Sequence, residues 1–141
     1  MRYSELTRRY FESGIGAGVL TGPAVGRGAA GSRAGGTWVQ FDIAIACDIA
    51  AATATAARET RIGAARFLAF ACPHTIAAAA WLVEWSVGKS CIAALPESVH
   101  EIAERFEIPI EKLGRLLIVE DAWLAAGRAA ISLSARGITM S

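Results

Sequence analysis

Hydrophobic and polar residues alternate most sharply from Thr37 to Ala46, where Val39, Phe41, Ile43 and Ile45 fall on one face and Trp38, Gln40 and Asp42 on the other. A period of two over β-branched and aromatic residues predicts a strand with one buried face and one partly wet face. Ile62 to Ala71 is predicted as a second strand, because β-branched, aromatic and small residues lead directly into Cys72-Pro73. Pro73 can take a first helical position without losing a needed N–H, so a helix begins there and Cys72 sits at a strand-to-helix corner. Along that helix Ile76, Ala80, Val83 and Val87 form a stripe, Trp81 and Trp85 lie alongside as core aromatics, and Gly88 ends it.

Helical spacing recurs in three other places. Tyr3 to Ser13 puts Leu6, Tyr10 and Phe11 opposite Arg8 and Arg9. Pro96 to Glu107 turns Val99, Ile102, Ala103 and Phe106 inward and leaves His100 on the solvated side, a poor place for a metal ligand. After the Ile108-Pro109 break, a last helix from about Glu111 to Ser132 is predicted to bury Leu113, Leu117 and Leu124, with Lys112, Arg115, Glu120, Asp121 and Arg128 on a solvated face. Gly14 to Gly36 contains nine glycines and is predicted to be a mobile loop. Gly14, Gly16 and Gly18 look superficially like a phosphate-binding turn, but no strand precedes them and no βαβ pattern follows. Cys47 to Arg61 is ambiguous: Asp48 could cap a short helix, or the flanking strands could extend into a long hairpin, the slightly preferred reading, with Cys47 as a strand-end thiol. The order helix, loop, strands, helices predicts one α+β domain over residues 1–141, a small antiparallel β-sheet packed against several helices.

Composition narrows the function. With 54% hydrophobic and 19% charged residues over 141 positions, the chain is not disordered, and its many alanines imply a tightly packed core with few large side chains. Fourteen basic against thirteen acidic residues give no electrostatic case for nucleic acid or an anionic membrane. The longest uncharged run, Phe67 to Val83, contains Pro73 and His74 and is short for a bilayer span, and no basic-then-apolar leader opens the chain; the expectation is a soluble, cytoplasmic protein. Cys47, Cys72 and Cys91 are odd in number and widely spaced, which argues against a disulfide framework and fits a reducing compartment.

Cys72 carries the chemistry. At the corner, free amides and the positive end of the helix dipole favour thiolate over thiol, making the sulfur a better nucleophile and metal ligand. The plainer role, a small apolar residue closing a corner, is the commoner one for such a cysteine. His74 is expected to be a hydrogen-bonding neighbour that favours the thiolate.

The segment IGAARFLAFACPHTIAAAAWLVEWSVGKS followed by EIAERFEIPIEKLGRLLIVEDAWLAA resembles the iron–sulfur cluster scaffold family of IscU and the NifU N-terminal domain. Ala65-Arg66-Phe67, Cys72, Glu84-Trp85, Gly88-Lys89-Ser90, Lys112-Leu113 and Glu120-Asp121-Ala122 stand in the order of the family pattern, as does Tyr3-Ser4-Glu5. The resemblance implies a scaffold rather than an enzyme, a fold of IscU/NifU/SufE type, a transient iron–sulfur cluster or zinc as cargo, a cysteine desulfurase as partner, and chains that could associate. The family's ligands are three cysteines, an aspartate and a histidine; the first cysteine falls on Gly35, the aspartate on Thr37, the histidine on Gly114 and the third cysteine on Arg115, so Cys72 is the single retained metal-ligand position. About four donors are needed for a stable site, and one thiolate does not supply them. Arg115, expected near Cys72 in this fold, opposes a cation and favours a thiolate, and with His74 and Lys112 it makes up the expected supporting residues around Cys72 as candidate sulfur acceptor. The SufE family, similar in fold, keeps one working cysteine at the same corner and accepts a persulfide there, which defines the alternative reading; a regulator occupying the desulfurase surface without metal is a third. Ile108-Pro109-Ile110-Glu111-Lys112 resembles the family segment held by an Hsp70-type chaperone, but Ile110 replaces a proline and Glu111 a valine, which weakens that partner assignment.

Overall fold

The computed structural model describes residues 3–46, 61–90 and 95–140. Helix α1 (Glu5–Ser13) leads to strands β1 (Val25–Ser32), β2 (Thr37–Ala46) and β3 (Arg61–Phe70), then to α2 (Pro73–Ser86), α3 (Val99–Phe106), a 3₁₀ turn (Ile110–Lys112) and α4 (Leu113–Ala135). The strands form one antiparallel sheet in the order β1-β2-β3. An α+β domain of a small sheet under several helices is therefore what the chain forms. Among the described residues no helix is long and apolar enough to cross a membrane.

The alternating run predicted for β2 behaves as its period requires: Val39, Phe41, Ile43 and Ile45 are all buried on the helix side. Phe41 pairs with Phe67 and Ile43 with Ala65 on β3, and Trp123 of α4 stands edge-on to Phe41 at 5.1 Å between ring centroids. Capping fixes the smaller helices. Ser98 and Glu101 form a reciprocal capping box at the start of α3, and Ser4 accepts from the Thr7 amide at the start of α1. Buried Thr7 donates to the Phe106 carbonyl at 3.0 Å, fastening α1 to the end of α3.

Three expectations need correction. The Gly14 to Gly36 segment is not a loop throughout: it contains β1, paired with β2 from Val25 opposite Ala44 to Ser32 opposite Thr37. Ahead of β1, Gly16 and Gly18 exchange backbone hydrogen bonds with Phe67, laying this stretch along the outer edge of β3. Helix α2 has no single stripe; ten of its residues are buried, because α1, β3, α3 and α4 all pack against it, while Trp85 and Val87 are exposed. In α4 the buried set is Leu116, Val119, Ala122, Trp123, Ala126, Gly127 and Ala130, so the helix is turned from the predicted phase and Leu117 is 49% exposed. Small residues, not leucines, define the face that meets the sheet. The hairpin preferred over Cys47 to Arg61 lies outside the described residues up to Arg61, which opens β3.

On the other face of the sheet, Asp42 is 1% exposed rather than partly wet. Its carboxylate receives both arms of Arg27 at 2.8 and 2.9 Å and the Leu20 amide at 2.9 Å. Burial alone would push its pKa up; the Arg27 bonds, the Leu20 N–H and the Arg27 charge outweigh it and hold the group below its ordinary value. A folded pKa below the unfolded one contributes stability above the unfolded pKa, and that contribution is lost as pH falls through the folded pKa. Asp42→Ala is expected to cost about 2 kcal/mol at pH 7 by leaving the Leu20 amide without its acceptor, or roughly 6 °C in Tm. In thermal melts across pH, the gap to wild type should narrow below about pH 4, where an ordinary aspartate takes up its proton.

Candidate functional site at the end of the sheet

The last rung between β2 and β3 pairs Trp38 with Phe70, so Thr37 and the β1–β2 turn lie at the sheet end from which β3 runs into Cys72. Cys72 is the N-cap residue of α2, in extended backbone conformation, with Pro73 opening the helix. This is the predicted corner. Its sulfur is half-buried and lies 3.4 Å from the Thr75 hydroxyl. The first turns of α4 come over the same end, since Ile118 and the Thr37 carbonyl both crowd the position of Gly31.

Charge at the corner is positive. Burial raises the Cys72 pKa, but the Thr75 hydroxyl and amide, the Arg115 guanidinium and the Lys112 charge together bring it below the ordinary thiol value. Arg115 is thus near Cys72, as expected. Lys112 is not on a solvated face: it is 8% exposed, with Nζ 3.0 Å from Nδ1 of His74.

His74 itself is 1% exposed and turned toward Lys112 rather than the thiol. Tyr3 meets its ring edge-on at 4.6 Å, and the Lys112 ammonium lies 5.7 Å from the centre of the Tyr3 ring. Burial, then the charges of Lys112 and Arg115, push the His74 pKa down, so the imidazole is neutral near pH 7. Its Nε2 has no hydrogen-bond partner among the described residues.

Among the positions matching family ligands, Gly35 lies in the β1–β2 turn, Thr37 is buried at the start of β2, and Gly114 and Arg115 are exposed in the first turn of α4. They gather at the end that holds Cys72, but without ligating side chains. Among the described residues no group of three or more histidine, cysteine or carboxylate side chains is placed to hold a metal ion. The donor set therefore does not fit a cluster or zinc held by these residues. His100 is exposed on α3, and Cys47 and Cys91 lie outside the described residues.

Neither Thr75 nor Tyr3 reads from the sequence as a site residue, although Tyr3 opens the Tyr3-Ser4-Glu5 match. Thr75 was findable, since an N-cap side chain faces the residue three positions on. Tyr3 carried no local signal; only the docking of the amino-terminal segment brings it to His74.

The model for the NifU-like N-terminal domain matches residues 2–129. The chain belongs to that family. Among solved structures, it is similar to a crystal structure described as a candidate iron–sulfur cluster assembly scaffold protein for the SUF system of Fervidobacterium islandicum AW-1, at 12% identity and TM-score 0.57, over 91% of this chain and 96% of that one. A second similar structure, described as a hypothetical protein, is 16% identical over 90% of this chain and 94% of that one, with TM-score 0.49. No curated protein matches.

Proposed function

We propose that the protein acts in iron–sulfur cluster assembly as a sulfur-handling member of its family, with Cys72 accepting sulfur from a cysteine desulfurase. The observation that carries this reading is the environment of Cys72: a half-buried thiol at a helix start, its pKa brought down by Thr75, Arg115 and Lys112. One thiolate is enough for the transfer. The Cys72 thiolate attacks the terminal sulfur of the enzyme persulfide, a new S–S bond forms on Cys72, the old S–S bond breaks, and the enzyme cysteine leaves as thiolate. No net oxidant or reductant is consumed. Arg115 and Lys112 offset the negative charge as two anionic sulfurs approach.

Family membership also supports a cluster held between chains, but the ligand positions around Cys72 favour the acceptor: Arg115 puts a cation where a donor would be needed. Support for chaperone delivery is weak. Ile110 is 81% exposed, but it opens a 3₁₀ turn whose last residue, Lys112, is anchored on His74, so the segment is not presented as an extended strand.

Incubation with a cysteine desulfurase and cysteine, followed by intact and peptide mass measurement, is expected to show one added sulfur on Cys72 and none on a Cys72→Ser variant. Anaerobic reconstitution with iron and sulfide provides the contrary outcome. A stoichiometric cluster that forms while Cys72 takes up no sulfur would replace the acceptor with the scaffold. If neither forms and desulfurase binding is retained, the protein is a regulator.

A further inference from the structure

Lysine is seldom buried without a holder, and Lys112 has one that the transfer reaction does not by itself require. An ammonium group only donates, so the 3.0 Å contact makes His74 Nδ1 the acceptor and leaves the proton of the neutral imidazole on Nε2. That N–H has no partner among the described residues, although the side chain is 1% exposed. A buried donor without an acceptor is destabilising, and an apolar side chain of similar size would serve the core better. Tyr3 adds to the holder. Its ring packs edge-on to His74 and lies within cation–π range of the Lys112 ammonium.

We propose that His74 is a positioning residue that fixes the Lys112 ammonium beside Cys72, and that Lys112 and Arg115 together make the site selective for an anionic sulfur donor. The proposal rests on the reading of Cys72 as the reacting sulfur and specifies its substrate as an ionised persulfide. The groups that act on Cys72 come from three elements: Thr75 on α2, whose hydroxyl lies 3.4 Å from the sulfur, Lys112 on the 3₁₀ turn, held by its contact with His74 two residues beyond Cys72, and Arg115 on α4. On the fourth side, Thr37 and the turn containing Gly35, the charged side chain is Arg33, whose guanidinium lies over the Trp38 ring at 5.5 Å. A thiolate meeting a persulfide anion is repelled unless positive charge is already in place, and a free lysine side chain would spend most of its time in water. His74 removes that freedom.

The test needs no desulfurase. Iodoacetate and iodoacetamide react with the same thiolate by the same displacement and differ mainly in charge, so the ratio of their rates at Cys72, read by peptide mass at pH 7 and low salt, cancels thiol pKa and access. The ratio should exceed that of free cysteine and fall with added salt. His74→Leu is expected to lower it about threefold, the effect of displacing one unit charge near the surface. His74→Asn, which keeps a short acceptor, should recover most of the loss. Lys112→Met should lower the ratio as much as His74→Leu, and the double variant no further, because the two act as one unit. An unchanged ratio in His74→Leu, or losses that multiply in the double variant, would overturn the proposal. If His74→Leu does not fold, as read by circular dichroism, Lys112→Met and the nitrogen NMR shifts of His74 in the wild type decide the matter: a ratio unchanged by Lys112→Met, or a proton on Nδ1, overturns it. A charge preference that is present while Cys72 takes up no sulfur from a desulfurase would sink the acceptor function and with it the persulfide as substrate, leaving only the positioning of Lys112 by His74; sulfur uptake without the charge preference would leave the acceptor function and overturn the positioning.

Discussion

Gly28→Val is expected to leave the chain without a cooperative unfolding transition. A side chain at Gly28 would drive its Cβ into the Ala126 amide nitrogen and to 2.7 Å from the Ala125 carbonyl carbon; at Gly26 it would lie 2.6 Å from the Ala130 Cα. These are backbone atoms, so no rotamer change relieves them. The α4 axis would have to lift off β1, and Trp123 would be drawn from its edge-on contact with Phe41. Overpacking alone costs about 1–3 kcal/mol where side chains can adjust; a helix moved bodily from an alanine-lined seam costs more, against a total stability of about 5–15 kcal/mol. Far-ultraviolet circular dichroism during urea titration should show a broad, non-sigmoidal loss of signal for Gly28→Val. The control is Gly114→Ala on the same helix, where nothing lies within 4 Å of the added carbon. It should raise stability by about 0.5–1 kcal/mol through helix propensity. A sharp transition for Gly28→Val at the wild-type midpoint would mean that β1 and α4 are not in contact.

The same two glycines explain why β1 was illegible. Strands are recognised by side chains that alternate, and β1 has almost none: Gly26, Gly28 and Ala30 face α4, where close approach removes larger residues. A tertiary requirement thus erased the local signal, and the glycines read as a loop. The phase of α4 is hidden for a related reason: its leucines point to one inward face by spacing, while Ala122, Ala126 and Ala130 carry the seam. In contrast, β2 and the Cys72 corner were legible, because each depends on a local device, a period of two or a proline at a helix start. Within the site, Cys72 was readable and its neighbours only partly so. Residues two apart at a helix start do not face each other, whereas those three apart do. His74 therefore turns to Lys112, and Thr75 reaches the sulfur. At its helical spacing Lys112 reads as part of a solvated face, although the family resemblance also counts it among the supporting residues; its burial comes from His74 and Tyr3, both remote in sequence.

Installing donors at the four substituted positions should turn the corner into a metal site. The variant Gly35→Cys, Thr37→Asp, Gly114→His and Arg115→Cys is expected to bind one zinc ion, by metal analysis after dialysis, where the unaltered chain retains none at this corner. Zinc requires about four nitrogen, sulfur or oxygen donors in tetrahedral array. Cys72 supplies one, and the other positions lie at the same end of the sheet. The Arg115 guanidinium acts on the Cys72 thiol from α4, Thr37 and the turn close the sheet end, and neither Gly35 nor Gly114 has a left-handed backbone that would resist a side chain. Space is adequate: a Cβ at Gly114 meets nothing within 4 Å, and one at Gly35 meets only the Ser32 hydroxyl at 3.0 Å and the Ser32 carbonyl at 3.7 Å. Without metal, the variant should melt below the wild type, because an aspartate at buried Thr37 loses its hydration with no bound metal to offset the loss. Zinc should reverse that loss, and chelator should restore it, as binding free energy becomes folding free energy. Arg115→Cys alone should gain little, since two thiolates leave the set short and the Lys112 charge remains. A fully substituted variant that folds, retains no zinc and melts identically with and without it would show that the start of β2 and the start of α4 do not converge on Cys72, and the acceptor site built there would fall with them.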